Sequence, residues 1–204
     1  MFHLGSLIAS LAKGGLVMVP LLICSVLAVS VVIDRWSFWW RRRDAGSAER
    51  ALRLAVYGKF EEAAEIAGVS RAPGARVITA GLMHRDGGAT KAMELAAQEE
   101  LGLARRYLPV LDTIITLSPL LGLLGTVTGM IAAFGVLSAS GMNQPTAITG
   151  GVAEALIATA VGLGIAIATL VPYNYFSARV ERAAETMERF GSRIEQVLAE
   201  HRIP

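Results

Sequence analysis

The sequence predicts an all-α membrane protein with three membrane-crossing helices. Two observations carry that reading. The 204-residue chain is 53% hydrophobic with mean hydropathy +0.51, beyond the range of an ordinary soluble domain. Its charges, 18% of residues, are also strongly segregated: between Arg106 and Arg179 the only ones are Asp112 and Glu154. Expected in order are an N-terminal segment (1–15), a first span (16–36), a polar helical region (37–109), a second span (110–137), a short loop (138–147), a third span (148–176) and a helical tail (177–204). The second and third spans are expected to extend beyond the membrane as helices. Lys and Arg flank the spans asymmetrically: one before the first span, twelve after it, none in the 138–147 loop and five in the tail. By the positive-inside rule the polar region and tail are cytoplasmic, and the N-terminus and short loop lie outside.

The first span is the uncharged run Leu16 to Ile33. It ends in Asp34-Arg35-Trp36 and not in a small-residue cleavage site, so it reads as a retained anchor and not a signal peptide. Trp36, Trp39 and Trp40, followed by Arg41, Arg42 and Arg43, read as an interfacial aromatic belt with a basic flank, which disfavours a nucleic-acid role for these arginines. The lone Cys24 can form no intrachain disulfide and reads as a small apolar residue.

In the polar region, Ala48 to Ala67 reads as one helix with Leu52, Val56, Phe60, Ala63, Ala64 and Ala67 on one side. Gly68 to Gly74 is a turn, Ala75 to His84 a short helix and Asp86-Gly87-Gly88 a break. From Ala89 a helical pattern is expected to run uninterrupted into the second span. No zinc spacing, phosphate loop or nucleophile motif occurs here, and no enzyme activity is expected.

In the second span, Ser118, Gly122, Gly125, Gly129 and Ala132 fall on one face, with Gly125 and Gly129 forming a GxxxG pair. Asp112, Thr116, Leu123, Thr126 and Met130 lie on an adjacent face, with Asp112 at the cytoplasmic mouth. Pro119 frees a carbonyl that Thr116 is placed to satisfy. The Thr126 hydroxyl has two readings, a backbone-bonded group in a packed helix or part of an ion path. The uncharged loop SASGMNQP then forces an antiparallel hairpin.

In the third span, Ala155, Thr159, Gly162, Ala166, Thr169 and Tyr173 make a stripe of small or hydroxyl-bearing residues. Leu156, Ile157, Leu163, Ile167 and Leu170 supply lipid-compatible bulk elsewhere. Glu154 borders the stripe as the one charge of the span. A carboxylate there is expensive and marks a functional-site hypothesis; the competing reading has it reach the outer interface near a helix N-terminus. No basic residue lies in either span to pair with it. Three helices cannot enclose a wide polar path, so the small and polar stripes are expected to face a shared axis in an oligomer. Glu154 could then exchange a proton, with Thr126 and Thr159 relaying hydrogen bonds to water. In the tail, Phe190, Ile194, Val197 and Leu198 are expected on one apolar side.

Two segments carry a resemblance. SPLLGLLGTVTGMIAAF, Ser118 to Phe134, and GGVAEALIATAVGLGIAI, Gly150 to Ile167, resemble the signature segments of the ExbB/TolQ/MotA proton-channel family. The Tyr173-Asn174 pair and the short outer loop resemble ExbB and TolQ, and three spans fit these better than the four of MotA. The chain departs from the family where a Pro-Gly before the glutamate is Gly150-Gly151, and where a frequent tryptophan is Thr128. The resemblance implies that Glu154 matches the membrane glutamate and that Thr126 and Thr159 match the pore threonines. It further implies a homopentamer around a central pore in the bacterial inner membrane, holding a dimer of a single-span ExbD- or TolR-like partner. Protons are the implied coupling ion, with no cofactor, and the work is delivered to a TonB- or TolA-like protein. Gly122, Gly125, Gly129, Ala155, Gly162, Ala166 and Thr169 are then packing or pore-lining residues. A passive membrane scaffold assembled by its glycine stripes is the alternative of another class. A secondary transporter would need inverted repeats and broken helices that three spans do not offer.

Overall fold

The computed structural model describes residues 15–42, 46–140 and 145–201. Seven helices make up the ordered elements among them: α1 (Met18–Trp40), α2 (Gly46–Val56), α3 (Phe60–Val69), α4 (Ala75–Met83), α5 (Ala89–Arg105), α6 (Leu108–Ser140) and α7 (Pro145–Glu200). Three stretches, in α1, α6 and α7, are long and apolar enough to cross a membrane. The expected N-terminal segment lies almost wholly, and the 138–147 loop partly, outside the described residues.

The chain divides into two compact units, residues 1–32 with 107–174, and residues 33–106 with 175–204. In the first, α6 and α7 form an antiparallel pair joined along small residues. A Cβ added to Gly122 would stand 3.0 Å from the Thr159 Cα, and one added to Gly129 2.9 Å from the Ala155 Cβ. One added to Gly151 would meet the Ala133 Cβ at 2.9 Å. Lipid tails are as apolar as leucine, so close backbone approach supplies the adhesion that hydrophobic burial supplies in water. The start of α1 joins this pair: Val17, Met18 and Leu21 pack against Leu121, Val161 and Ile165. Leu120, Leu123, Val127, Leu156, Leu163 and Ile167 point outward, compatible with lipid.

The second unit is built as a water-soluble core is. From Phe176 the buried residues of α7 are Val180, Ala183, Met187, Phe190, Ile194 and Val197, alternating steps of four and three. That spacing keeps one seam along the helix. The seam meets α4: a Cβ on Gly81 would lie 2.9 Å from the Ile194 Cγ2, and Gly191 faces Val77. Ala48, Ala51, Leu52, Ala55, Ala63, Ala67, Val77, Ile78 and Leu82 complete the core. Of the expected tail stripe, Phe190, Ile194 and Val197 are buried, while Leu198 is only half-buried.

Four local expectations need correction. The helix expected over Ala48 to Ala67 is two, α2 and α3, because Gly58 turns the chain at φ +77° and leaves Val56 exposed. The run from Ala89 into the second span is interrupted at Tyr107, which adopts φ +66°. Pro109 then sits in the first turn of α6, where its missing N–H costs nothing. The small-residue face of α6 ends on Ala133, 3% exposed, and not on Ala132, because the helix advances four residues after Gly129. The Thr116 hydroxyl donates to the Asp112 carbonyl at 3.1 Å, a turn before the carbonyl that Pro119 frees.

Candidate functional site

Most of the residues expected to matter in the spans converge on the α6–α7 seam. Gly122 and Gly125 on α6, and Ala155, Gly162, Ala166 and Thr169 on α7, are all buried, and Gly129 is half-buried. Gly162 lies so close to the Ser118 carbonyl that a Cβ would overlap it. Ala158, 1% exposed, is a seam residue that sequence reasoning missed; its Cβ faces Gly125. Its signal was present, because a helical face uses steps of three as well as four from Ala155.

Thr159 links the two spans. Its Oγ1 donates to the Gly122 carbonyl at 2.9 Å, a side-chain bond from one span to the backbone of the next. Gly122 makes this possible, since a side chain there would hold the helices apart. The Thr126 Oγ1 donates to the Leu123 carbonyl of its own helix at 2.7 Å. Thr126 also opens onto an apolar surface cavity of about 510 Å³, lined with Val127, Met130, Ile131 and Phe134. The Thr169 Oγ1 donates to the Ile165 carbonyl at 2.7 Å. All three hydroxyls therefore have backbone acceptors, and each keeps lone pairs able to accept from water.

Glu154 is half-buried and flanks the seam one residue before Ala155. Its carboxylate lies against Gly15, at the threshold of α1, where a Cβ would overlap Oε1. Gly15 has φ +72°, a conformation glycine adopts without strain. The start of a helix is a favourable place for a negative charge, because its first N–H groups lack intrahelical acceptors. Asp112 is exposed in the second turn of α6, apart from the residues around Glu154. Among the described residues no cluster of three or more His, Cys, Asp or Glu side chains is arranged to hold a metal.

A model of the MotA/TolQ/ExbB proton channel family matches residues 69–189, more than half the chain and all of the α6–α7 seam. The chain belongs to this family. An ExbB-like biopolymer transport protein of Synechocystis is 36% identical over 197 residues, covering 90% of this chain and 91% of the relative. The Tol-Pal system protein TolQ of Haemophilus influenzae is 39% identical over 103 residues, 50% of this chain and 45% of that protein. The biopolymer transport protein ExbB of Xanthomonas campestris is 37% identical over 87 residues, 43% of this chain and 34% of its own. The family match thus covers the two spans whose packing defines the site. With three apolar helices, it makes the chain an inner-membrane protein.

Proposed function

We propose that the protein is the channel subunit of a proton-driven motor in the inner membrane. In this reading a homopentamer surrounds a single-span ExbD-like dimer, and proton flow is coupled to work on a TonB-like protein serving transport across the outer membrane. The observation that carries it is Glu154: a lone carboxylate in an apolar helix, bordering a close-packed seam across which the Thr159 hydroxyl bonds the neighbouring span, while that of Thr126 bonds its own helix. Such a group is costly unless it exchanges charge with water or a partner. The apolar cavity beside Thr126 suits a partner's membrane helix. The excess of Lys and Arg after the first span and in the tail supports a cytoplasmic second unit and C-terminus, with the N-terminus outside.

The ExbB-type role draws support from the match to an ExbB-like relative over about nine-tenths of both chains. A TolQ-type role, energising the Tol-Pal envelope system with a TolR-like partner and a TolA-like protein, draws support from the TolQ relative that is 39% identical over half of this chain. A passive scaffold would use the same seam without needing Glu154. The deciding experiment is partner-dependent proton flux in liposomes with Glu154→Ala, alongside pentamer yield. Loss of flux with normal assembly is expected. Full flux with normal assembly would remove the glutamate from the path.

A further inference from the structure

We infer that the second unit contains a binding site for a phosphate-bearing anion of headgroup size, placed to take it from the membrane surface. The site is a cleft of about 1030 Å³ lined by the last turns of α1, by α4, α5 and the α3–α4 turn. Six arginines line it, Arg35, Arg41, Arg42, Arg71, Arg76 and Arg106, against two carboxylates, Asp34 and Glu100.

The arginines divide by what they already hold. Arg35 is buried, donating to Asp34 and, through Nη1, to the Leu103 carbonyl at 2.9 Å. Arg42 pairs with Glu100, which is 4% exposed and also meets Arg76 at 3.2 Å. In these groups both carboxylates of the cleft are neutralised. Arg41 and Arg71 are exposed, with no ion pair among the described residues. Two unneutralised guanidinium groups in a cleft whose carboxylates are neutralised favour an anion, and their planar forks match phosphate oxygens.

Three features select among anions. The cleft begins at Asp34, directly after the apolar run of α1, and the same turns of α1 expose Trp36 and Trp40. Aromatics at that point of a span sit at headgroup level. Val69 and Met83, on the cleft wall, are 84% and 72% exposed, an apolar surface suited to a glycerol backbone or the start of an acyl chain. The Phe38 ring already carries Arg42 at 4.3 Å and Arg35 at 4.7 Å, contacts that a stacking nucleobase would compete with.

The test uses the full chain in nanodiscs and does not depend on proton flux. Native mass spectrometry compares lipid retention in discs of phosphatidylcholine with and without phosphatidylglycerol. Selective retention of phosphatidylglycerol is expected, about thirtyfold weaker in an R41Q/R71Q variant and unchanged in Lys91→Gln, which lies outside the cleft. The single variants R41Q and R71Q, which disturb the fold less, should each lose about fivefold. Retention that survives millimolar inorganic phosphate or glycerol 3-phosphate assigns the anion to a lipid. Displacement by either, lost in the same variants, assigns it to a free phosphate. Equal retention of both lipids with no effect of soluble phosphates would overturn the site, as would a preference unchanged in all three variants. Capture of a polyglutamate peptide in place of lipid and phosphate would overturn it in favour of a protein partner.

Discussion

The two halves of α7 bury opposite kinds of residue. Before Asn174 its buried face is Ala155, Ala158, Gly162, Ala166 and Thr169; after it, Phe176, Val180, Ala183, Met187, Phe190, Ile194 and Val197, all large but one. One helix, in one chain, changes from small-inside to large-inside within about two turns. The reason is the surrounding solvent. Large side chains gain nothing by leaving lipid, so the spans use their smallest residues to bring backbones together and put leucine and isoleucine outside. In water each buried large side chain contributes about 1.5–3 kcal/mol, so this half of α7 buries mostly large ones.

Substitutions that exchange the two chemistries test this contrast. The largest effect is expected from Gly162→Leu, where even a Cβ overlaps the Ser118 carbonyl. The hairpin cannot close, and assembled protein should disappear from native gels; assembly at wild-type yield would show that the spans are not held together at this seam. Next is Ile194→Ala, at a fully buried position facing Gly81. It should destabilise the second unit by about 2–5 kcal/mol. Pulse proteolysis of that unit reads the loss, and the spans should stay protected. Thr159→Val comes third. It removes the bond to Gly122 at a cost of about 1 kcal/mol. It should lower proton flux more than Thr126→Val, whose hydroxyl bonds only its own helix. Equal flux in the two variants would detach the inter-span bond from conduction. The smallest effect belongs to Gly164→Leu, since nothing lies within 4 Å of its Cβ position. A change within about 0.5 kcal/mol in thermal stability is expected. A large loss there would mean that a neighbouring protomer covers this face.

Much of the span unit was legible because a helical face repeats in steps of three and four. Gly122, Gly125, Gly129, Ala155 and Gly162 could be placed on the seam from spacing alone. The second unit was harder, for physical reasons. Arg42 and Glu100 are 58 residues apart, and local periodicity says nothing of such a pair. The helix break at Tyr107 uses a left-handed residue that is not glycine, so the usual signal of a break was missing. Pro109 was the available clue, since a proline inside a helix that has already begun would forfeit a backbone bond. Val180 and Met187 stand singly among charged neighbours, so their place on the tail's apolar seam is weakly marked in the sequence.

The second unit is assembled from two separated pieces of chain, 33–106 and 175–204, with the membrane hairpin between them. That arrangement has a consequence in time. As the chain is synthesised, α2 to α5 are complete before the Phe190 and Ile194 side of α7 exists. Roughly 85–90 residues intervene, some 4–18 seconds at ~5–20 residues per second. During that interval Gly74, Val77 and Gly81 lack the surface that finally covers them, and the span hairpin is delivered before the core of the second unit is sealed. A nascent chain halted before residue 175 should therefore recruit holdase chaperones, and one halted after 200 should release them.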